Sequence, residues 1–157
     1  MGFITLGLFT FTTNGTTGAV IQMFNHGITT GALFLFIGLV YERTHSRDIP
    51  AYGGLLKAIP VYGILFAIFL LSSMAVPGTN GFIGEILVLS GTFGVNNGAA
   101  TAGVLGALLG AAYLLGIYRQ MLLGPVRIPG AAKLWHFNVR EISFLPPFLL
   151  FLLCHCI

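Results

Sequence analysis

Charge is what this sequence has least of. Of its 157 residues only 7% are charged, against about 25% in soluble domains, while 56% are hydrophobic and the mean hydropathy is +0.94. That composition excludes an ordinary soluble domain and points to an integral membrane protein. Cysteine is scarce too: Cys154 and Cys156 flank His155 near the end of the chain. Alternate residues on a helix do not converge on one metal and no distant ligand cluster joins them, so no metal site is expected. There is no glycine loop placed to cradle a phosphate after a strand, no Ser/His/Asp set, and no paired carboxylates in the apolar interval, which removes the soluble-enzyme readings. No cofactor is expected on this chain. A basic n-region and a small-residue cleavage site are also missing, so no secretory signal is read. The net charge of +3 comes from basic residues in short loops rather than one patch. It reads as cytoplasmic loop charge, and no nucleic-acid partner is expected.

What is present is organised around one stretch. The interval Ala58 to Tyr118 contains a single charged side chain, Glu85. A carboxylate at membrane depth costs several kcal/mol unless it is paired, hydrated or protonated, so it is a functional candidate by default. Just upstream, Pro77-Gly78-Thr79-Asn80-Gly81 is turn chemistry inside an apolar run. Non-helical backbone at that depth is tolerated where it is buried in protein or lines a wet cavity. A break beside a lone acid therefore points to an ion or proton path. The 22 glycines suit close packing of membrane helices through small residues.

Along the chain, residues 1–13 read as the second half of a helix, and Asn14 to Thr17 as a polar turn. Gly18 to Tyr41 carries no charge and is about 36 Å long as a helix, enough to cross a bilayer with tilt. In it Gln22, His26, Thr29 and Thr30 share one face. Two readings of His26 stay open: a neutral residue that locks helix packing, or a proton carrier, since imidazole titrates near neutral pH. Glu42 to Lys57 is a charged connection that Pro50 and Gly53-Gly54 keep from continuing the helix. Then come Ala58 to Ala75, a short helix Phe82 to Phe93 carrying Glu85, a turn Gly94 to Gly98, and a span Ala99 to Leu123. Gly124 to Arg140 is a basic loop, and Glu141 to Ile157 a last apolar segment. The expected fold is all-α: one transmembrane domain over residues 1–157, with about four spans plus an N-terminal half-helix, and one helix broken near Pro77–Gly81. Arg43, Arg47 and Lys57 mark one loop as cytoplasmic, and Arg119, Arg127, Lys133 and Arg140 the other. Both lie on one side only if 58–75 and 82–93 are halves of one broken crossing. Loops 42–57 and 119–142 are accordingly expected in the cytoplasm, with the chain in a bacterial inner membrane.

The runs GAVIQMFNHGITTGALFLFIGLVYERTHSRDI, AYGGLLKAIP and SSMAVPGTNGFIGEILVLSGTF, continuing through IYRQMLLGPV to NVREI, resemble the chain M (subunit 4) family of proton-pumping NADH:quinone oxidoreductase, respiratory complex I. These are antiporter-like membrane subunits built as inverted repeats with discontinuous helices, and without a redox centre. The resemblance implies proton translocation coupled to electron transfer from NADH to quinone, with other membrane subunits and the lipid bilayer as partners. His26 matches a histidine of the family's hydrated axis. Glu85 matches the acid that replaces a lysine of sister subunits, and Pro77, Gly78 and Gly81 match the interrupted helix. The first repeat is not represented, and the chain ends at LLCHCI, so a fragment or truncated product is expected. Cation/proton antiporter and membrane-bound hydrogenase subunits share the module, and remain the alternative beside an inactive fragment.

Overall fold

The computed structural model describes residues 1–45 and 48–126. The final apolar segment at 141–157, the Cys154–His155–Cys156 cluster, Arg47 and the basic residues Arg127, Lys133 and Arg140 lie outside the described residues. The described residues form helices α1 (Gly2–Phe9), α2 (Thr13–Thr44), α3 (Leu55–Ala58), α4 (Pro60–Ser73), α5 (Asn80–Phe93) and α6 (Asn97–Met121), with a 3-10 turn at Ile49–Tyr52. The all-α expectation holds among them.

α2 starts earlier than the sequence suggested. Asn14 to Thr17 are its first turn, not a linker, because Thr12 caps the helix: its hydroxyl accepts from Gly15 N at 3.1 Å. An N-cap threonine satisfies an amide that has no intrahelical partner. The chain reverses instead at Thr10–Thr12, where Phe11 has φ 52° and the Thr10 hydroxyl donates to Gly7 O at 2.7 Å. Asn96 likewise caps α6, accepting from Ala99 N at 3.1 Å, so that helix begins at Asn97 rather than Ala99. At the other end α2 runs through Glu42 to Thr44 and stops with His45 in a left-handed conformation.

The apolar helix predicted over 58–93 is broken. α4 ends at Ser73, Ala75 adopts φ 50° and Gly78 φ 92°, and helix resumes at Asn80. Ala75 N donates to Ser72 O at 3.1 Å and Val76 N to Leu71 O at 3.4 Å, the paired bonds with which a helix closes on a left-handed residue. At ~1.5 Å per residue α4 and α5 are each about 21 Å long, short of the roughly 30 Å hydrocarbon layer. α2 and α6 are long and apolar enough to cross.

Both short helices lie antiparallel along α2, end to end. Going down α2, Gly15 meets Gly91, Gly18 meets Leu87 and Val88, Gln22 meets Gly84, and Asn25 meets Asn80. Beyond the break Phe36 meets Phe69, Phe66 and Tyr62, with ring centroids 5.7, 6.0 and 5.1 Å apart. The partners change in one direction without reversal, as expected of two halves of one interrupted crossing. The first stretch is a seam of small residues that brings backbones together. The second is the core, where Tyr62, Phe36, Phe66 and Phe69 are fully buried and the Tyr62 hydroxyl donates to Phe36 O at 2.7 Å. α3 closes this end through Leu56 N, which donates to Leu122 O at 3.3 Å.

Candidate proton-transfer site

The polar residues of α2 and the acid of α5 meet where the small-residue seam gives way to the break. A cavity of about 240 Å³ is lined by Gln22 and His26 from α2, Ser73 and Met74 from the end of α4, and Glu85 from α5. Its far wall is Gly106, Ala107, Gly110 and Ala111 of α6. These residues add little bulk beside Glu85, so the Gly/Ala content of α6 leaves room there: a Cβ at Gly106 or Gly110 would meet nothing within 4 Å. A second lobe of about 250 Å³ shares Gln22, His26, Ser73 and Leu114, and adds Asn25, Thr29, Thr30, Ser72 and Gly81. His26 and Glu85, 59 residues apart in sequence, are thus brought to one cavity. That juxtaposition was not deducible from spacing.

The expected α2 face is assembled but divided in its bonding. Thr30 Oγ1 lies 3.3 Å from His26 Nδ1, within hydrogen-bonding reach. Thr29 turns back on its own helix, donating to Asn25 O at 2.7 Å. Gln22 lies across Gly84, where its side chain occupies the space that a Cβ would take. Its Oε1 is buried and has no hydrogen-bond partner among the described residues. Left unsatisfied, a buried carbonyl acceptor of this kind costs about 1–3 kcal/mol.

Of the three residues expected at the break, Pro77 and Gly78 lie in it, while Gly81 falls inside the first turn of α5. Pro77 and Gly78 are exposed and turn the chain. Gly81 is buried against Ser72 O, lining the cavity where a side chain would collide with backbone. Asn25 and Ser72 gave no functional signal in the sequence, and Asn80, expected in the turn, is the first residue of α5; all three are buried, with Asn80 bonded to each of the other two. Asn25 and Asn80 could have been noticed as amides inside apolar helices, but their pairing spans 55 positions and carries no local signal.

A family described as NADH:quinone oxidoreductase/Mrp antiporter, TM matches residues 1–110. NADH-quinone oxidoreductase subunit M of Rhodobacter capsulatus is 40% identical over 147 residues, covering 94% of this chain and 29% of that protein. NADH-ubiquinone oxidoreductase chain 4 of Marchantia polymorpha is 38% identical over 149 residues, covering 95% of this chain and 30% of its own length. Among solved structures, a chain of respiratory complex I from Thermus thermophilus with bound NADH aligns with a TM-score of 0.88 at 30% identity. That alignment covers 98% of this chain and 32% of the other. The chain therefore spans under a third of the length of the relatives it matches. Its helices, its broken crossing and its sequence agree in one assignment: this is a membrane protein of the NADH:quinone oxidoreductase/Mrp antiporter transmembrane family.

Proposed function

We propose that this chain translocates protons as part of a non-redox subunit of NADH:quinone oxidoreductase, packed among other antiporter-like membrane subunits in a bacterial inner membrane. The observation that carries this reading is the shared cavity of His26, Gln22 and Glu85. In it a proton passes between imidazole and carboxyl through water, with Thr30 orienting the ring at Nδ1. Thr29 supports the same face by bonding to α2 backbone. The helix break lets water and polar backbone reach membrane depth, which a continuous helix would not. Glu85 loads and releases a proton as hydration or neighbouring charge changes, the behaviour a terminal site of a pump needs. Loops 42–57 and 119–142 face the cytoplasm.

The test is made in the assembled complex with the full-length subunit. Glu85→Gln keeps shape and hydrogen bonding but cannot titrate, and is expected to impair proton translocation. Glu85→Asp is expected to preserve most of it. His26→Ala should lower translocation more than it lowers assembly. Near-normal pumping by both Glu85 variants would reduce the acid to packing. Proton movement driven by a sodium gradient, without NADH or quinone, would favour the antiporter side of the family instead.

A further inference from the structure

Three polar side chains are buried more deeply than His26 or Glu85. Asn25, Ser72 and Asn80 are 2%, 2% and 1% exposed, and they come from the middle of α2, the last turn of α4 and the first turn of α5. Asn25 Nδ2 donates to Asn80 O at 2.7 Å, and Asn80 Nδ2 donates back to Asn25 Oδ1 at 3.1 Å. The Ser72 hydroxyl donates to Asn80 Oδ1. Both polar ends of the Asn80 side chain are thereby engaged. Breaking such a buried set costs about 1–3 kcal/mol for each group left unsatisfied, so one arrangement is strongly selected over its neighbours.

The interruption between Ser73 and Asn80 has a mechanical consequence. An unbroken helix would fix the rotation of α5 through its own backbone bonds, and here those bonds are absent across the break. The seam of small residues lets α2 and α5 approach closely. Hydrogen bonds across it resist rotation. Asn80 precedes Glu85 by five residues, about 7.5 Å along the helix axis. Asn25 is the immediate neighbour of His26. A tie between 25 and 80 therefore sets both partners of the proton path from close range.

We propose that Asn25, Asn80 and Ser72 form a clamp that holds the rotation and depth of α5, so that the Glu85 carboxyl faces the cavity shared with His26. The three act through the α5 backbone and are positioning residues. Their role presupposes the proton-transfer reading of Glu85.

The experiment measures proton translocation per electron in vesicles carrying the assembled complex, beside assembly and quinone reduction. Asn25→Ala and Asn80→Ala are each expected to reduce the Glu85-dependent share of translocation roughly twofold or more, since misplacement by about 1 Å is costly to transfer. The double variant should be no worse than the worse single one, and neither should add to the loss already caused by Glu85→Gln. Ser72→Thr keeps the hydroxyl and should retain translocation, whereas Ser72→Ala should not. If the asparagine variants fail to assemble, the serine pair decides, and equal behaviour of Thr and Ala at 72 overturns the clamp. Further losses in the Glu85→Gln background would show a general structural role and overturn it too. Impairment by Glu85→Gln with unimpaired clamp variants overturns the clamp alone, whereas a silent Glu85→Gln overturns both readings.

Discussion

Gly18→Ala adds one methyl group to the small-residue seam between α2 and α5. A Cβ at Gly18 would stand 2.7 Å from Leu87 Cβ, 2.7 Å from Val88 N and 3.0 Å from Leu87 C. Two of the three are backbone atoms, so no rotamer change relieves the contact. Ordinary contact begins near 3.4 Å, and α2 and α5 must separate by about 0.7–1.3 Å to reach full van der Waals distance. Overpacking of this kind costs about 1–3 kcal/mol, partly offset by the ~1 kcal/mol that alanine gains over glycine inside a helix. Gly27→Ala isolates that second term, because nothing lies within 4 Å of a Cβ there on the same helix. The two variants should differ by about 1–3 kcal/mol, with Gly27→Ala at or above wild-type stability and Gly18→Ala below it. Reversible SDS unfolding of the full-length subunit in detergent micelles measures the difference. The same movement would stretch the 2.7 Å and 3.1 Å bonds between Asn25 and Asn80, so Gly18→Ala should also lower translocation in the complex. Equal stability of the two alanine variants would refute the seam as described.

Thr12→Ala should cost about 0.5–2 kcal/mol by uncapping α2, read in the same unfolding assay, whereas a neutral result would return Asn14–Thr17 to a linker. Tyr62→Phe removes the hydroxyl that donates to Phe36 O while keeping the ring stack, and should cost about 0.5–1.5 kcal/mol. Gly84→Ala would push the Gln22 side chain out of its place and should reduce translocation with little change in assembly; unchanged translocation would remove Gln22 from the path. Single cysteines placed at 45 and 127 should label from the same side of the membrane, and labelling from opposite sides would sink the broken-crossing topology.

Some elements were legible because their signals are local. The uncharged run to Tyr41, the proline and glycines at 77–81 and the apolar segments on either side yield α2, α4 and α5 with small errors at the ends. The late starts expected for α2 and α6 share one cause. Thr12 and Asn96 are caps, and a polar cluster read as a turn cannot be told from the first turn of a capped helix until the backbone amides are seen. Glu85 and His26 stood out because an ionisable group in an apolar run is costly. Asn25, Ser72 and Asn80 did not, since an uncharged polar residue in a membrane helix is common and reveals nothing of its partner.

The sequence by itself determined that this chain lives in a membrane, that the apolar segments among the described residues are helical and that one of them is interrupted. Hydrocarbon admits only helices and closed barrels, and long apolar runs without alternation belong to helices, so composition and breakers suffice for those conclusions. Only the tertiary structure decided what the interruption encloses. Residues 22, 26 and 85 reach one cavity because α5 packs antiparallel on α2 through small residues, while α6 presents Gly106 and Gly110 instead of bulk. The rotation of α5 in that groove is set by amide bonds between positions 25 and 80. Such a match depends on which surfaces meet in space, a property of helix pairs that no single segment contains.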